Sequence, residues 1–295
     1  MAFNRKSLRL TLTLGNKNEV FTSDNKNKLS TVGLRISAEV IAGNGSVTPH
    51  ARIKIYGLPQ ETMNKLIFLR WRDVSTLLNT VTLEAAEDGG DFSQVFKGGI
   101  IYALPDYSEA PNVSVTIESQ LAAFESKNPS QAESFEGQYQ VSDLIGRICQ
   151  RIGFSFENNN VNSVIENPYL TGSDIDRIRW LCDNTNNNLY LGANSVSIAP
   201  KGSPRNVKIA VISPSTGLIS YPVPNPQGVS FRCLYNPLIV FGGKVRIQDS
   251  SIELVNGEWF TFGIRTILET ETESGRWFME VLAQKTTDKN TYVEK

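Results

Sequence analysis

The residues that could do chemistry in this chain are few and far apart. Its 295 residues include one histidine, His50, and three cysteines, Cys149, Cys182 and Cys233. Catalysis by a Ser–His or Cys–His pair would have to use His50, which follows Pro49 at the edge of a predicted strand. A zinc site needs clustered cysteine and histidine ligands, which these positions do not supply. We therefore predict reduced, buried cysteines, no metal site and no nucleophilic catalysis.

Phosphate-binding and calcium-binding motifs are also missing from the sequence. Neither the P-loop nor the dinucleotide-binding glycine pattern occurs, and no EF-hand type of loop is present. The pair Gly98-Gly99 lies inside a predicted strand and does not precede a helix. We predict no cofactor and no small-molecule substrate.

Carboxylates are the only catalytic residue type present in number. Glu84, Glu87, Asp88 and Asp91 surround Gly89-Gly90, and a glycosidase needs two carboxyl groups roughly 5–10 Å apart. These acids would serve a carboxylate-dependent β-fold hydrolase of cell wall or carbohydrate, or they form a solvated turn. Acidic residues beside a glycine turn commonly face water, so we predict no catalytic residue here.

One stretch, Ala51 to Leu66, organises the first part of the chain. Ile53 and Ile55 alternate with polar residues, which is the pattern of a strand with one buried face. A glycine and a proline end the strand, and Met63 and Leu66 follow at helical spacing. We predict that Ile53, Ile55, Met63 and Leu66 form a packing and assembly unit in which the helix covers the sheet.

The first 125 residues or so are otherwise predicted to be strands joined by turns. A polar, mildly basic segment, 16–28, is predicted to be a loop. A second polar segment, 126–140, is predicted to be a linker. The composition and the periodicity change after it.

A small α/β insert follows the predicted linker. Apolar residues at helical spacing predict a helix over 141–152, and Gly153 is placed to end it. Ser173 precedes an acidic first turn and is predicted to cap a second helix. A hairpin about residues 192–194 completes the insert.

The strand pattern then returns. Val207, Ile209 and Val211 alternate with other residues and predict a strand with these three on its apolar face. Phe96 to Tyr102 and Phe260 to Ile264 each lead through a polar turn into a second alternating strand. This likeness indicates a duplicated β domain interrupted by the insert, unless two unrelated hairpins share a common pattern.

Composition and charge are those of an ordinary soluble protein. Hydrophobic residues make up 40% of the chain, charged residues 20%, and the formal net charge is −1. These values exclude a disordered chain, a coiled coil and a nucleic-acid binder that relies on bulk charge. The N-terminal segment is basic and the last hairpin acidic, which suits either head-to-tail contact between subunits or two solvated surfaces. Without a long apolar run, we predict no membrane span and no signal peptide.

Three stretches resemble a known family. Ala51 to Leu66 provides the strand, corner and helix, and Tyr169 to Cys182 provides a helix that begins Ser-Asp and precedes a hairpin. The third and most specific begins with Thr216 to Ile219 and continues over 228–245, where a strand ends in Leu-x-Asn-Pro and a glycine turn leads into a further strand. In this order the stretches resemble the baseplate hub proteins of contractile-tailed bacteriophages, particularly the Mu-type tail hub family.

The resemblance implies a mainly β fold with an α+β insert, in which two tail-tube-like β-barrel domains flank a small α/β domain. The implied boundaries are 1–126 for the first barrel, 127–203 for the insert, 204–288 for the second barrel and 289–295 for a polar tail. The residues of a family-like structural corner would be Asn236, Pro237, Gly242 and Gly243.

The resemblance also implies a function without enzymatic activity. Such hubs are homotrimers whose two barrels per chain form a pseudo-sixfold ring, which connects the tail tube to the central spike and leaves a channel for DNA. The expected partners are copies of the same chain, the tail tube or a tube-adaptor protein, the central spike protein and other baseplate proteins. DNA would pass through the lumen without sequence-specific binding. The chain would be made in the host cytoplasm and reside in the virion baseplate. A distal-tail or receptor-binding tail protein is the alternative.

Overall fold

The computed structural model describes residues 5–15, 27–43, 48–67, 78–87 and 89–285. Strands dominate, as predicted, and most pair antiparallel. The chain divides into two compact units, each assembled from separate stretches. The first unit comprises Met1–Ala42, Thr48–Lys127 and Arg265–Phe278; the second comprises Gly43–Val47, Asn128–Ile264 and Met279–Lys295. The three-domain division given above stays a prediction.

The first unit is built on an antiparallel sheet. Its strands are β1 (Lys6–Thr13), β2 (Lys28–Val32), β3 (Ile36–Gly43), β4 (His50–Tyr56), β5 (Thr80–Glu87), β6 (Ser93–Asp106) and β7 (Ser114–Gln120). They lie in the order β2-β1-β5-β6-β7-β4-β3. Alternate residues are buried along most of them, though not along β2, so one face of the sheet supplies the core of this unit.

Two helices accompany this sheet, α1 (Gln60–Leu66) and α2 (Ala123–Lys127). Helix α1 begins directly after Pro59, which suits a proline because its missing N–H leaves no broken bond at a helix start. Met63 and Leu66 are buried on α1, and Ile53 and Ile55 are buried on β4. The predicted strand, corner and helix are therefore confirmed as structure, while their role in assembly stays a prediction.

The second unit contains a small α/β part. Its helices are α3 (Val141–Ile152) and α4 (Asp174–Asn184). Its strands are β8 (Glu133–Ser134), β9 (Gln138–Gln140), β10 (Ser155–Asn158), β11 (Val164–Glu166), β12 (Tyr169–Leu170), β13 (Asn187–Gly192) and β14 (Ser195–Pro200). Three of these form a sheet in the order β10-β14-β13, and the others form the pairs β9–β11 and β8–β12.

The remaining strands of the second unit form an open sheet. They are β15 (Ala210–Ile212), β16 (Val223–Asn225), β17 (Gly228–Leu234), β18 (Lys244–Ile247), β19 (Gly257–Thr270) and β20 (Trp277–Gln284). Their order is β16-β17-β20-β19-β18-β15. The core on this sheet includes Val229, Phe231, Val245 and Trp259. The β19–β20 hairpin is shared, because its distal residues, 265–278, belong to the first unit.

Within the first unit the hairpin tip extends the sheet. β19 lies beside β3, Arg265 Nε donates to Glu39 Oε1 at 2.6 Å, and Thr270 Oγ1 donates to the Leu34 carbonyl at 3.3 Å. These contacts run in opposite directions along the two strands, so β19 and β3 are antiparallel. Trp277 donates to the Glu87 carboxylate, and the Lys6 ammonium lies 5.7 Å from its ring centroid. The sheet therefore curls until β20 approaches β1 and β5.

The two units share a strand order. In the first unit it is β1-β5-β6-β7-β4-β3, and in the second it is β15-β18-β19-β20-β17-β16. When each strand of one order is matched with the strand at the same position in the other, the matched strands also follow one another in the same order along the chain. This agreement supports the predicted duplication. The units differ in two respects: β2 has no counterpart among the described strands of the second unit, and β15 pairs parallel with β18 whereas β1 pairs antiparallel with β5.

For one strand, the sequence pattern predicted the wrong face to be buried. The alternation of Val207, Ile209 and Val211 placed these residues inward, but the strand there is β15 and its buried residues are Ala210 and Ile212. Val211 is 38% exposed. Ala210 lies opposite Val245 on β18 and fixes this register, and a shift of one residue exchanges the faces of a strand.

The segment 126–140 is a structured part of the protein, although its polarity predicted a linker. Arg177 of α4 is fully buried and donates to the carbonyls of Ser130 and Gln131 at 2.7 and 2.6 Å. Its other terminal nitrogen donates to Glu133 at 2.9 Å. These charge-assisted bonds fasten the polar segment to the helix, because a buried guanidinium left without partners would be costly.

Other local predictions are confirmed. Gly153 follows α3 with a φ of 72°, the left-handed conformation of a helix C-cap. Ser173 and Asp176 form a capping box at the start of α4. All three cysteines are free and buried. Strand β2 was not predicted, and most of the predicted 16–28 loop and the 289–295 tail lie outside the described residues. In the ranges described, the helices are too short or too polar to cross a membrane.

We expect Leu66→Asp to lower the free energy of unfolding by at least about 3 kcal/mol, because it removes buried apolar contacts and places an unpaired carboxylate in the core. Urea denaturation followed by circular dichroism measures this loss. Asn64→Asp is the matched control, since Asn64 is exposed on the same helix and its side chain keeps its acceptor oxygen. Equal stability of the two variants would contradict the packing role of Leu66.

Candidate assembly site

The predicted corner residues lie together in the loop that joins β17 to β18. The side-chain oxygen of Asn236 accepts a hydrogen bond from the Leu238 N–H at 3.0 Å, which closes a turn, and Pro237 is exposed in this turn. Gly242 and Gly243 are buried at the far end of the loop. The loop therefore positions all four residues without exposing a reactive group.

Gly242 is the most constrained residue of this corner. It has a φ of 75°, and a Cβ atom there would lie 2.4 Å from the Tyr190 ring. Its N–H donates to the Thr261 carbonyl at 3.0 Å, and its carbonyl accepts from the Arg205 N–H at 2.7 Å. Only glycine allows this backbone conformation together with this close approach.

The two predicted site regions occupy corresponding positions in their units. The loop from β4 through α1 to β5 matches the loop from β17 through Asn236 and Gly242 to β18. In both, the chain leaves one strand at a corner and returns as the strand three places away in the sheet order, with two strands between them. We infer an architectural use for both loops, while the family-specific role of Asn236, Pro237, Gly242 and Gly243 stays a prediction.

The acidic residues around the Gly89-Gly90 turn do not form a catalytic pair. Glu84 accepts two hydrogen bonds from Arg9, at 2.7 and 2.8 Å, across neighbouring strands. The Arg9 hydrogen bonds hold the pKa of the Glu84 carboxyl below its ordinary value, although burial acts in the opposite direction. Glu87 accepts a hydrogen bond from Trp277, and Asp88 lies outside the described residues. Glu84 and Glu87 thus make structural contacts, and Asp91 is exposed.

Metal ligands are similarly dispersed. Within the ranges that the structure describes, no three histidine, cysteine, aspartate or glutamate side chains are grouped as a metal site requires. His50 is the first residue of β4, where it lies opposite Ile41 and Gln120.

Charged side chains on the first sheet form a row of alternating sign. Glu118, Arg52 and Glu39 face one another on β7, β4 and β3. Arg52 donates to Glu118, and Arg265 of β19 donates to Glu39. Such cross-strand pairs favour one register, because a slip would oppose like charges. The row therefore offers no excess of either sign.

Three acidic residues of the last hairpin, Glu258, Glu269 and Glu280, are also paired. Glu258 accepts from Arg246 at 2.5 Å, and Glu280 accepts from Arg232 at 2.6 Å. Glu269 accepts two side-chain hydrogen bonds from Arg276, and these bonds lower its pKa to about 2. Local pairing thus offsets much of the acidity seen in the sequence, which favours the interpretation of a solvated surface.

Two exposed apolar strips were missed by the sequence reasoning. The β16 strip consists of Ile219, Tyr221 and Val223 beside the outermost strand of the second unit, and Tyr221 is 68% exposed. The β6 strip consists of Ile101, Tyr102 and Leu104 in the distal half of β6, all exposed. A signal was available for the first, since the sequence from Ile209 to Phe231 contains no charged residue.

These features define a class of protein. In the described ranges, several acidic residues are engaged in cross-strand pairs while large apolar residues lie exposed at sheet margins, as in a structural β protein that assembles with others. The family is identified directly: the model of the baseplate hub gp41 family matches residues 8–273. The chain therefore belongs to the baseplate hub gp41 family, and it is a component of the bacteriophage tail baseplate.

Solved structures agree with this family. The chain is similar to the 43 kDa tail protein of prophage MuSo2 from Shewanella oneidensis, with a TM-score of 0.60, 9% identity, and 94% of this chain and 97% of that one covered. It is equally similar to the tail protein from Neisseria meningitidis MC58, with a TM-score of 0.60, 9% identity, and coverages of 94% and 96%. Both likenesses establish the fold.

A third similar structure is a chain of the Francisella PdpA-VgrG complex. Its TM-score is 0.54 at 10% identity, with 99% of this chain and 60% of that chain covered. No curated protein matches the sequence. The predicted resemblance to Mu-type tail hubs is thus confirmed.

We expect Gly242→Ala to destabilise the protein by about 2–4 kcal/mol, because the added methyl group combines backbone strain with a clash against Tyr190. Thermal unfolding measures the effect. Gly33→Ala is the matched control: Gly33 also has a positive φ, 81°, but nothing lies within 4 Å of where its Cβ atom would be. The control should lose only about 1 kcal/mol of stability. Equal losses of stability in the two variants would show that Tyr190 is not the reason why position 242 requires glycine.

We expect Glu269→Gln to lose on the order of 2 kcal/mol of stability at pH 7, because the pKa of Glu269 falls from 4.5 to about 2 on folding. A depressed carboxyl pKa stabilises the fold above pH 4.5, and this contribution disappears as the pH falls towards 2. The stability difference between the variant and the unaltered protein should therefore be full at pH 7 and smaller at pH 3.

Unfolding midpoints at several pH values test this dependence. Glu273→Gln, in the exposed turn of the same hairpin, is the control and should leave stability unchanged across the range. A difference for Glu269→Gln that stays constant from pH 7 to pH 3 would contradict the assigned ion pair.

Proposed function

We propose that this protein is a structural hub of the phage tail baseplate and that three copies form a pseudo-sixfold ring. The ring connects the tail tube of a contractile phage to the central spike and encloses a channel for DNA. Membership of the baseplate hub gp41 family and the likeness to phage tail proteins support this function.

The shared strand order of the two units is the observation on which the proposal rests. Each chain supplies β1-β5-β6-β7-β4-β3 and its counterpart β15-β18-β19-β20-β17-β16. Three chains therefore supply six similar β units, the number needed to match a sixfold tube while keeping threefold symmetry for a spike. A chain with a single unit would not bridge the two symmetries in this way.

Each unit is proposed to act as a tube-like β-barrel, with the small α/β part between the two in the sequence. The contacts of Trp277 with Glu87 and Lys6 support closure in the first unit, because they bring opposite ends of the curled sheet together. Closing a sheet satisfies backbone groups that an open edge would leave unpaired.

The proposed channel requires a polar wall that does not retain DNA. The row formed by Glu118, Arg52, Glu39 and Arg265 suits this requirement, since its alternating charges pair with one another. Phosphates bind most strongly to unpaired lysine and arginine, so a paired row lets DNA pass without sequence-specific binding. We place this row on the lumen.

The proposed partners follow from the hub position. They are further copies of the chain, the tail tube or a tube-adaptor protein, the central spike protein and other baseplate proteins, with assembly in the host cytoplasm. The similarity to a chain of the PdpA-VgrG complex supports a partner of the VgrG kind, because it shows this fold within such an assembly. The proposed role is structural and needs no catalysis.

Light scattering coupled to size-exclusion chromatography tests the ring. We expect a species of three times the 32.7 kDa chain mass, which negative-stain images should show as a ring with a central hole. A protein that remains monomeric over the whole accessible concentration range would contradict the proposal.

A second measurement addresses the rival functions. Incubation with purified cell wall should release no soluble fragments, and Glu84→Gln should behave like the unaltered protein. Turnover that depends on Glu84 would overturn the structural role in favour of a hydrolase. Saturable binding to purified host envelope would instead favour a receptor-binding tail protein.

A further inference from the structure

The distal half of β6 has one edge without a strand partner in the described part of the chain. β5 pairs with β6 from Ser93 as far as Gly99, and β7 pairs with β6 from Gly99 to Asp106 on the opposite side. Beyond Gly99, no strand in the described part of the chain continues along the side where β5 lies. The backbone groups of residues 101–106 on that side therefore lack a strand partner among these ranges.

The corresponding strand in the second unit, β19, continues differently. β18 pairs with its first residues, and beyond Gly263 the strand enters the first unit and lies beside β3. Gly99 and Gly263 follow similar sequences and mark where the distal half of each strand begins. In the distal half of β19, Ile267 and Leu268 are at most 3% exposed, whereas Leu104 in the distal half of β6 is 57% exposed. The strand that has a partner thus buries its large apolar residues, and the strand that lacks one among the described residues leaves such residues in water.

The shared strand order indicates which strand would suit the distal half of β6 as a partner. β3, the partner of β19, corresponds to β16 in the shared strand order. β16 ends its sheet, with β17 on one side and no described strand on the other. The β16 strip beside this edge is apolar, exposed and free of charge. Among the described strands, the edges of β6 and β16 thus lack partners and are apolar, and they correspond to the edges of β19 and β3, which pair with each other.

Prolines determine what the β16 edge can bind. Pro222 and Pro224 lack a backbone N–H. Pro224 lies opposite Val229, between two hydrogen-bonded positions of the β16–β17 ladder, so its backbone groups face away from β17. The outer edge therefore offers carbonyl acceptors with few donors. Two such edges cannot pair with each other, which excludes a twofold contact of β16 with β16 and requires a partner edge that has donors.

We propose that the distal half of β6 in one copy lies antiparallel along the β16 edge of a second copy, with the β6 strip against the β16 strip. This contact is heterologous, so each copy uses both edges and successive copies can close into a ring. Residues 101–104 contain no proline and supply the donors that β16 lacks. The inference rests on the proposed ring and specifies which edges meet in it.

Cysteine cross-linking tests the contact in the full chain. The double variant Leu104→Cys/Val223→Cys, treated with a short bismaleimide, should give covalent dimers and trimers. The native cysteines are buried, and burial raises the pKa of the Cys149 thiol to about 11 and of Cys182 and Cys233 to about 12, so they should not react. An equimolar mixture of the two single variants should give dimers only, because each link needs one cysteine of each kind.

Leu104→Cys/Leu254→Cys is the matched control, since Leu254 is exposed outside both strips. Cross-linking of the control as efficient as that of the test pair would overturn the inference, as would dimers from Leu104→Cys alone. A trimer in light scattering without specific cross-links would refute this contact but not the proposed ring. A monomer without cross-links would refute both.

A charged substitution provides a second test that needs no cross-linking reagent. Val223→Glu should weaken self-association at least about tenfold in sedimentation velocity, because a carboxylate would be buried in an apolar contact. Leu254→Glu should leave association unchanged, and at a dilution where all samples are monomeric both variants should unfold at the temperature of the unaltered protein. Association of Val223→Glu at full strength would contradict the proposed contact.

Discussion

The constraint on which this structure depends is that the backbone groups at the margin of a sheet need partners. The first unit meets it with residues remote in sequence: β3 is paired on its outer side by β19, which lies more than two hundred residues further along the chain. Arg265 and Glu269 add side-chain bonds to Glu39 and Ser37 on this strand. The outer edge of β3 is thus satisfied by strand pairing together with specific polar contacts.

The same constraint explains how the polar residues are used. Arg9 and Glu84, and Arg246 and Glu258, are pairs on neighbouring strands, where each contact favours one register. Exposed ion pairs add little stability individually. Their value here lies in specifying alignment in sheets whose backbone would accept several. Buried Arg177 has a comparable use, since it fastens a segment too polar to be held by apolar packing.

Local features were predictable from the sequence where a short pattern has one physical interpretation. The amphipathic spacing before Gly153, the Ser173 cap and the alternation of Ile53 and Ile55 all identified their elements. Prediction failed where tertiary pairing decides the outcome. The register of β15 depends on β18, so the alternation of Val207, Ile209 and Val211 pointed to the wrong face.

The candidate site was predictable to a lesser degree. Gly242 could be singled out as part of a glycine turn, but its contact with Tyr190 joins residues from separate elements. The exposed strips depend on which strands end a sheet, and edge position is a property of topology that apolar composition does not reveal. The order β16-β17-β20-β19 had to be known before Ile219, Tyr221 and Val223 could be recognised as a margin.

The placement of residues 265–278 in the first unit has a consequence for biosynthesis. The rest of that unit ends at Lys127, so the ribosome must make the whole intervening chain before β3 receives its neighbour. At 5–20 residues per second this delay is on the order of ten seconds. During that interval the nascent protein presents an unfinished sheet, which is when a chaperone would be most useful to it. Completion of the N-terminal half is thereby coupled to completion of the polypeptide, and chains released early would lack a finished first unit.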